Sequence, residues 1–306
     1  MAARAGPCGA VRRRAWAKVN LFLHVTGRRA DGYHELDSLI VFAGVGDDLE
    51  IRPSTDLTLA VDGPFAAALS AAGAPGPGAG NLVLHAAEIL RARCGVAAGA
   101  RLRLTKSLPV AAGLGGGSAD AAAALRGLAR LWALELSDAE LARLGAALGA
   151  DVPVCLAGRP SLVGGIGDRI APAPPVPPAW LVLVNPGAPL ATGAVYAARH
   201  GPFARPAEWS GAAADAVEFA ARLAERRNDL EPAARALAPE VGQALAALAG
   251  TADCLLARMS GSGATCFGLY ARRERARAAA AHIAAERPAW WVRAAPVLRH
   301  EPNGPD

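Results

Sequence analysis

The stretch LPVAAGLGGGSADAAAALRGL, residues 108–128, decides how this chain is read. Four of the five residues from 113 to 117 are glycine, and Ser118 follows them just before an alanine-rich run. Backbone amides wrap an anion only where no Cβ blocks its approach. A helix that starts directly after such a loop aims its positive dipole end at the same anion. Residues 121–124 are all alanine, and Leu125, Leu128, Leu131 and Trp132 supply a packing face. The spacing predicts a helix of about four turns ending near Trp132, with Ser118 as its N-cap. Asp120 falls in the expected first turn, where it suits the helix dipole. It would repel a bound triphosphate unless it faces away or lies near a metal, and the sequence leaves its role open.

Two other glycine patterns fail on spacing. A Walker loop requires GxxxxGK[ST], and no lysine follows these glycines. A dinucleotide fingerprint requires GxGxxG, and counting from Gly113 puts Ser118 where the last glycine belongs. Spacing alone leaves two readings, a phosphate cradle and a tight strand-to-helix turn that binds nothing.

Outward from the loop, 306 residues with 53% hydrophobic composition can bury a sizeable core, with two domains favoured over one. Short apolar runs alternating with longer helical patterns indicate an α/β (α+β) fold. No run approaches the roughly 20 apolar residues that span a bilayer, and residues 1–16 lack the apolar centre of a signal peptide. A cytoplasmic enzyme with no membrane partner is expected. The five cysteines, Cys8, Cys94, Cys155, Cys254 and Cys266, are scattered without a CxxC pair, and we read them as reduced and mostly buried. A net charge of +5 comes with arginine clusters at 12–14, 28–29 and 272–277. No aromatics interleave with them as a single-strand binder requires, so they read as solvated surface and no nucleic acid partner is expected.

Along the chain, AKVNLFLHV at 17–25 alternates, placing Lys18, Asn20, Phe22 and His24 on one face and Ala17, Val19, Leu21, Leu23 and Val25 on the other. Asp31 and Gly32 supply a reversal into the apolar run LIVF at 39–42, which predicts a hairpin or a tight loop. A glycine, proline and alanine loop at 70–80 precedes a helix over 81–93, capped by Asn81, with Leu82, Ala86, Ile89 and Leu90 on one side. A short strand follows at 101–105. SDAE at 137–140 is a capping box opening a helix that stops at Gly149. The proline-bound stretch APAPPVPP at 171–178 reads as extended, and WLVLVNPG after it as a buried strand. Helices through about residue 248, a strand near 254–259, the turn SGSGAT, a strand CFGLY, a last helix and a terminal strand complete the pattern. No fixed-period repeat is present. The domains are expected over 10–165 and 166–300.

With these segments in place, residues 108–124 resemble the phosphate-binding motif of the GHMP kinases, the superfamily of galactokinase and of homoserine, mevalonate and phosphomevalonate kinases. AKVNLFLHVTGRRADGYHEL at 17–36, GNLVLHAA at 80–87, LGADVPVCL at 148–156, NDLEPA at 228–233 and MSGSGATCFGLY at 259–270 are similar to segments of one branch of it, in the same order. ADGYH is the most specific of them. The resemblance implies a two-lobed α/β fold with its site in the interdomain cleft, and ATP with Mg2+ as cofactors. The acceptor it implies is the 2-hydroxyl of 4-diphosphocytidyl-2-C-methyl-D-erythritol, in the non-mevalonate isoprenoid pathway.

Carried over residue by residue, the resemblance implies catalysis by Lys18 and Asp151, with Asn20 beside them in the substrate site. Taken singly, a strand lysine is ordinarily a solvated edge charge, and an aspartate two residues before Pro153 a cap or turn residue. The combined motifs outweigh those readings. Tyr33 and Tyr196 would sandwich the cytosine, His34 would bond its edge, and Thr192 would contact the substrate. The nucleotide would lie on the loop residues Pro109, Ala111, Ala112, Gly113, Leu114, Gly115, Gly116, Gly117, Ser118 and Ala119, with Asn81 near the adenine. Residues 261–263 resemble a third motif that closes over the site. The segment VGGIGD at 163–168 departs from the pattern: Gly164 and Ile166 replace more polar residues, and Asp168 replaces a glutamate. No magnesium or nucleotide contact is carried over to it, and the metal ligands stay unassigned. The alternatives are a GHMP kinase acting on another small alcohol and a non-catalytic nucleotide-binding regulator; ADGYH speaks against the first, and retention of Lys18 and Asp151 against the second.

Overall fold

The computed structural model describes residues 9–71 and 80–299. Residues 72–79 of the expected glycine and proline loop, Cys8 and the first residues of the basic opening lie outside these. The chain begins with two long antiparallel strands, β1 (Val11–Arg28) and β2 (His34–Ser54), joined at the predicted Asp31–Gly32 reversal. Gly32 adopts φ +89°, and the Asp31 carboxylate accepts from the Tyr33 N–H at 3.1 Å. Next come β3 (Leu57–Asp62), α1 (Ala66–Ala71), α2 (Leu82–Cys94) and β4 (Gly99–Thr105), the last parallel to β3 and antiparallel to β2. Helices α3 (Gly116–Leu131), α4 (Asp138–Leu148) and α5 (Val152–Ala157) lead to β5 (Ser161–Gly165) and β6 (Arg169–Pro172).

The expected 165/166 boundary falls in the turn between β5 and β6, which pair with each other. Beyond the proline-rich 171–178 lie β7 (Trp180–Asn185), α6 (Thr192–Ala197), α7 (Ala216–Ala224), α8 (Glu231–Leu237) and α9 (Pro239–Ala249). Then follow β8 (Leu256–Met259), β9 (Cys266–Tyr270), α10 (Arg273–Glu286) and β10 (Trp291–Leu298). The strand order β3-β4-β2-β10-β7-β9-β8 makes β10 the seam. Its last residues pair with Phe42 and Ala43 of β2, while its residues 291–296 pair with β7.

Apolar clusters fill both sides of this seam. Leu102, Leu104, Leu125 and Leu128 pack with Val83 and Leu90 where α2 and α3 cover β2 and β4. Strand β7 is buried on both faces, with Leu181 and Leu183 meeting Val19, Leu21 and Phe267, and Val182 and Val184 meeting Val241 and Leu248 of α9. That double burial explains its unbroken apolar run.

Several expectations need correction. Residues 17–25 of β1 are buried throughout, and register shifts after Trp16, Asn20 and Val25 interrupt the alternation. Phe22 therefore joins Ala17, Val19 and Leu21 in one core cluster while Leu23 and Val25 enter another. Strand β2 starts at His34, ahead of the apolar run at 39–42. Asn81 caps α2 as expected, accepting from the Val83 N–H at 2.9 Å, but the buried face is Val83, Ala86, Ala87 and Leu90, with Leu82 and Ile89 half-buried. Ser118 is not the N-cap of α3. The helix opens at Gly116 from Gly115, whose left-handed φ of +61° costs a glycine little, and Ser118 is its third residue. Asp120 consequently lies in the second turn. Ser137 and Glu140 form the predicted capping box. Cys94, Cys155, Cys254 and Cys266 are free, but only Cys266 is fully buried.

Leu128 has no exposed surface and anchors α3 to the sheet. Leu128→Ala is expected to lower stability by about 2–5 kcal/mol, read as a lower urea midpoint at unchanged slope.

Candidate active site

Strand β1 carries three polar residues into the interior, Lys18, Asn20 and His24, of which the first two border the cleft. The Lys18 N–H donates to the Leu114 carbonyl at 2.9 Å, tying the strand to the glycine loop, and the Lys18 stem packs where a Cβ on Gly115 would stand, 3.2 Å from Cε. Its Nζ donates to Asp151 Oδ2 at 2.8 Å. The lysine side chain is 7% exposed and the aspartate 39%, so the pair is sealed on one side and open on the other. Asp151 holds the N-cap position of α5, yet its side chain makes no capping bond and turns to the ammonium instead.

The two glycine loops fit against each other. Gly113 has φ +76°, and a Cβ there would lie 2.3 Å from the Ser260 carbonyl oxygen and 3.0 Å from Gly263 N. Ser260 Oγ donates to the Gly113 carbonyl at 2.9 Å and accepts from the Asn20 N–H at 3.1 Å. The Thr265 N–H reaches the Ala112 carbonyl, and Asn228 Nδ2 donates to the carbonyls of Met259 and Gly261 at 2.9 and 2.8 Å. Asn20 Nδ2 donates to Ser38 Oγ at 2.8 Å, and that hydroxyl donates to the Phe22 carbonyl at 2.5 Å. Asn20 Oδ1 is buried without a partner at the edge of the cleft, so it is ready to accept from a ligand.

Between these elements lies a cleft of about 300 Å3. Lys18, Asn20, Ala111, Ala112, Gly113, residues 115–118, Asp151, Thr192 and Tyr196 all border it. The amides that open α3 have no intrahelical acceptor, and the missing side chains let an anion reach them. The residues present therefore suit a nucleotide's phosphates. Not every expected residue borders the cleft. Leu114 points into the core, the Ala119 N–H is spent on the Gly115 carbonyl, Pro109 has no N–H, and Asn81 lies off the cleft while its neighbour Leu82 lines it. Ile166 and Gly167 border the cleft, whereas Asp168 is exposed and accepts from the Ile166 N–H at 3.1 Å. Among the described residues no group of three or more His, Cys, Asp or Glu could hold a metal.

A wider pocket of about 740 Å3 continues from the cleft, sharing Leu36, Ile166, Thr192 and Tyr196 with it. Tyr33, His34, Arg28, Arg199 and Phe203 are among the other residues of its wall. Thr192 and Ser262 share a hydrogen bond of 2.9 Å at the junction. Tyr33 stands at the rim, 63% exposed, and it is His34 whose ring stacks on Tyr196, with centroids 5.0 Å apart. Burial, then the nearby Arg28 and Arg199, hold the His34 imidazole below its ordinary pKa. Burial and the Asp151 carboxylate raise the Tyr196 phenol, so its hydroxyl stays a donor. Burial likewise keeps the Cys155 thiol protonated.

Asp120 faces away from the loop amides and bonds Lys106. Sequence reasoning missed Asp47 and Lys106, and also Ser38, Ser260 and Asn228. Ser260 lies in a glycine-rich turn, while Asp47, Lys106, Ser38 and Asn228 each stand beside other polar residues with no spacing that singles them out, and only Asn228 and Ser260 sat within motifs already marked.

This geometry has counterparts. Residues 81–159 match the model of the GHMP kinases N terminal domain, and residues 211–288 that of the GHMP kinases C terminal. The chain belongs to the GHMP kinase family. Within it, a protein of Paramagnetospirillum magneticum named 4-diphosphocytidyl-2-C-methyl-D-erythritol kinase is 56% identical over 92% of this chain and 96% of its own length. The crystal structure of a 4-(cytidine 5'-diphospho)-2C-methyl-D-erythritol kinase superposes with a TM-score of 0.76 at 34% identity, covering 94% of this chain and 98% of that one. A homoserine kinase from Cytophaga hutchinsonii shares the fold at 16% identity and a TM-score of 0.70, covering 98% of each chain.

Gly113→Ala combines a left-handed backbone with overlap on the Ser260 carbonyl, and about 1–3 kcal/mol of strain should weaken binding of a non-hydrolysable ATP analogue by about tenfold or more, measured by calorimetry.

Proposed function

We propose that this protein transfers the γ-phosphoryl of ATP to the 2-hydroxyl of 4-diphosphocytidyl-2-C-methyl-D-erythritol. The observation that carries the reading is the Lys18–Asp151 pair at 2.8 Å, bordering the same cleft as the open amides of α3. Phosphoryl transfer asks a protein for alignment and charge neutralisation more than for covalent chemistry. The loop from Gly115 to Ser118 and the helix dipole hold the terminal phosphates. Lys18, with a stem locked against Gly115, brings its ammonium to the transferred group. Asp151 orients the acceptor hydroxyl and accepts its proton. Asn20 Oδ1 accepts from a second acceptor hydroxyl, held in place by Ser38. Magnesium, when bound with the nucleotide, would neutralise phosphate charge; among the described residues no group of three or more acidic, imidazole or thiol side chains would form a cage for it.

The acceptor hydroxyl is tertiary, so crowding makes its placement demanding. The wide pocket beyond Tyr196 takes the cytidine diphosphate portion, with His34 and Tyr196 at the base and Tyr33 closing from the rim. A neutral His34 can both donate and accept at a cytosine edge. Several of the surface arginines are paired with carboxylates, as in Arg12 with Glu50, Arg14 with Asp48 and Arg103 with Asp62, and we read them as solvated surface beside a small-molecule site. Among the described residues no helix is long and apolar enough to cross a membrane, and a cytoplasmic site of action, where ATP is supplied, is part of the proposal.

ADP release from ATP and magnesium is expected with 4-diphosphocytidyl-2-C-methyl-D-erythritol and not with homoserine or mevalonate; equal turnover on the latter two would refute the acceptor. Lys18→Met and Asp151→Asn should each lower kcat by about 100- to 10,000-fold while still binding an ATP analogue, and unchanged rates would remove their roles. Because burial, and then the neighbouring Arg28 and Arg199, disfavour the imidazolium, cytidine diphosphate affinity should fall with acid only below pH 6.5, and Arg199→Ala should move that midpoint upward.

A further inference from the structure

Directly beneath the phosphate loop lies a buried charge cluster that phosphoryl transfer does not use. Lys106 is 2% exposed, and its Nζ donates to Asp47 Oδ2 at 2.5 Å and to Asp120 Oδ2 at 2.7 Å. The register pairing Asp48 with Thr105 brings Asp47 beside Lys106, and α3 delivers Asp120 from above. Asp47 Oδ1 accepts from the N–H groups of Ser107 and Leu108, at 2.5 and 2.8 Å, where the chain enters the loop. Asp120 is 3% exposed, and its Oδ1 is buried with no hydrogen-bond partner. A Cβ on Gly116 would stand 3.4 Å from Lys106 Nζ and 3.7 Å from Asp47 Oδ2. Little more than glycine backbone separates the cluster from the amides that face the nucleotide.

With every group ionised, two carboxylates and one ammonium leave a net charge of −1 behind a site that must hold a polyphosphate. A like charge so placed opposes binding, and adding a proton to one carboxylate cancels it. Asp120 is the member able to take the proton, because both oxygens of Asp47 are engaged and one of Asp120 is not. We propose that the Asp47–Lys106–Asp120 cluster is a proton-linked support for the phosphate loop, in which nucleotide binding draws one proton from solvent onto Asp120 Oδ1 and release returns it. Lys106 and Asp47 act as positioning residues, holding the loop's entry while the charge beneath it adjusts.

Burial, with Asp47 acting in the same direction, pushes the Asp120 carboxyl up to about 7 against the pull of Lys106. The groups facing it are Asp47 from β2, Lys106 from the end of β4 and the protonated Cys155 thiol from α5, with the Lys18–Asp151 pair beyond that thiol. Helices α2 and α4 present apolar Val83, Ala86 and Leu141 to this core. A bound polyphosphate raises the carboxyl further. Below about pH 7 Asp120 is already protonated in the free protein, so affinity is flat there. As pH rises through the interval between the free and bound values, affinity falls and proton uptake passes through a maximum.

This inference rests on the loop being the nucleotide's phosphate site, and the test separates the two. ADP with magnesium is titrated into the full-length protein at pH 7.5 in buffers of different ionisation enthalpy. Wild type should take up about half a proton per ADP more than Asp120→Asn, a difference in which the nucleotide's own titration cancels. Asp47→Asn, which keeps an oxygen for the Ser107 and Leu108 amides and makes the remaining pair neutral, should lose the same uptake and bind ADP more tightly above pH 7.5. Equal uptake in wild type and either folded variant overturns the proposal. If neither variant folds, wild-type uptake no greater than ADP's own ionisation accounts for, from pH 6.5 to 9, overturns it, and an excess over that supports it. Absence of any ADP binding refutes the phosphate site itself.

Discussion

An unpaired run of backbone N–H groups can be offered to an anion only if something other than the anion holds the main chain in place. Here that something is the contact between two glycine loops and one strand. Gly113 approaches the Ser260 carbonyl where no side chain would fit, Ser260 Oγ ties Gly113 to Asn20, and Lys18 N–H binds the Leu114 carbonyl. The side chains missing from the loop thus serve two purposes, close approach of a ligand from one side and of the second loop from the other. The same strand that braces the loop also places the Lys18 ammonium against Asp151, so one backbone fixes both.

Three aspartates near this loop show how environment divides one chemistry into several roles. Asp151 is partly exposed, paired to one ammonium and able to meet a hydroxyl. Asp47 is wholly buried and accepts three hydrogen bonds, one from Lys106 and two from backbone amides, which makes it a structural anion. Asp120 shares Lys106 but keeps an oxygen unpartnered, and burial favours its neutral form. Sequence placed Asp120 at a helix start, where the dipole favours a carboxylate; the structure places it one turn deeper, where desolvation dominates.

Much of the fold was legible because local chemistry specified it. The Asp31–Gly32 reversal, the Asn81 cap, the Ser137–Glu140 capping box and the apolar run of β7 all formed where residue type and spacing predicted. What failed were inferences about orientation. Alternation along 17–25 was read as two faces, but bulges paired against β2 put Leu21 and Phe22 in the same cluster. The start of α3 moved from Ser118 to Gly116 because a left-handed glycine made a side-chain cap unnecessary. Apart from these, the His34 ring lies on Tyr196 where α6 meets the β1–β2 hairpin, a long-range placement that local sequence does not encode.

By itself, the sequence determined the glycine loop and the helix behind it, because periodicity, capping and steric permission act over a few residues, while the candidates Lys18 and Asp151 came from the resemblance of the combined motifs. Only the tertiary structure decided that Lys18 and Asp151 meet at 2.8 Å, that Asn20 keeps an open acceptor, and that Asp47, Lys106 and Asp120 lie together under the loop. Those facts depend on strand register and on helices packing across long sequence separations. Burial also changes the cost of a charge in ways that composition does not encode.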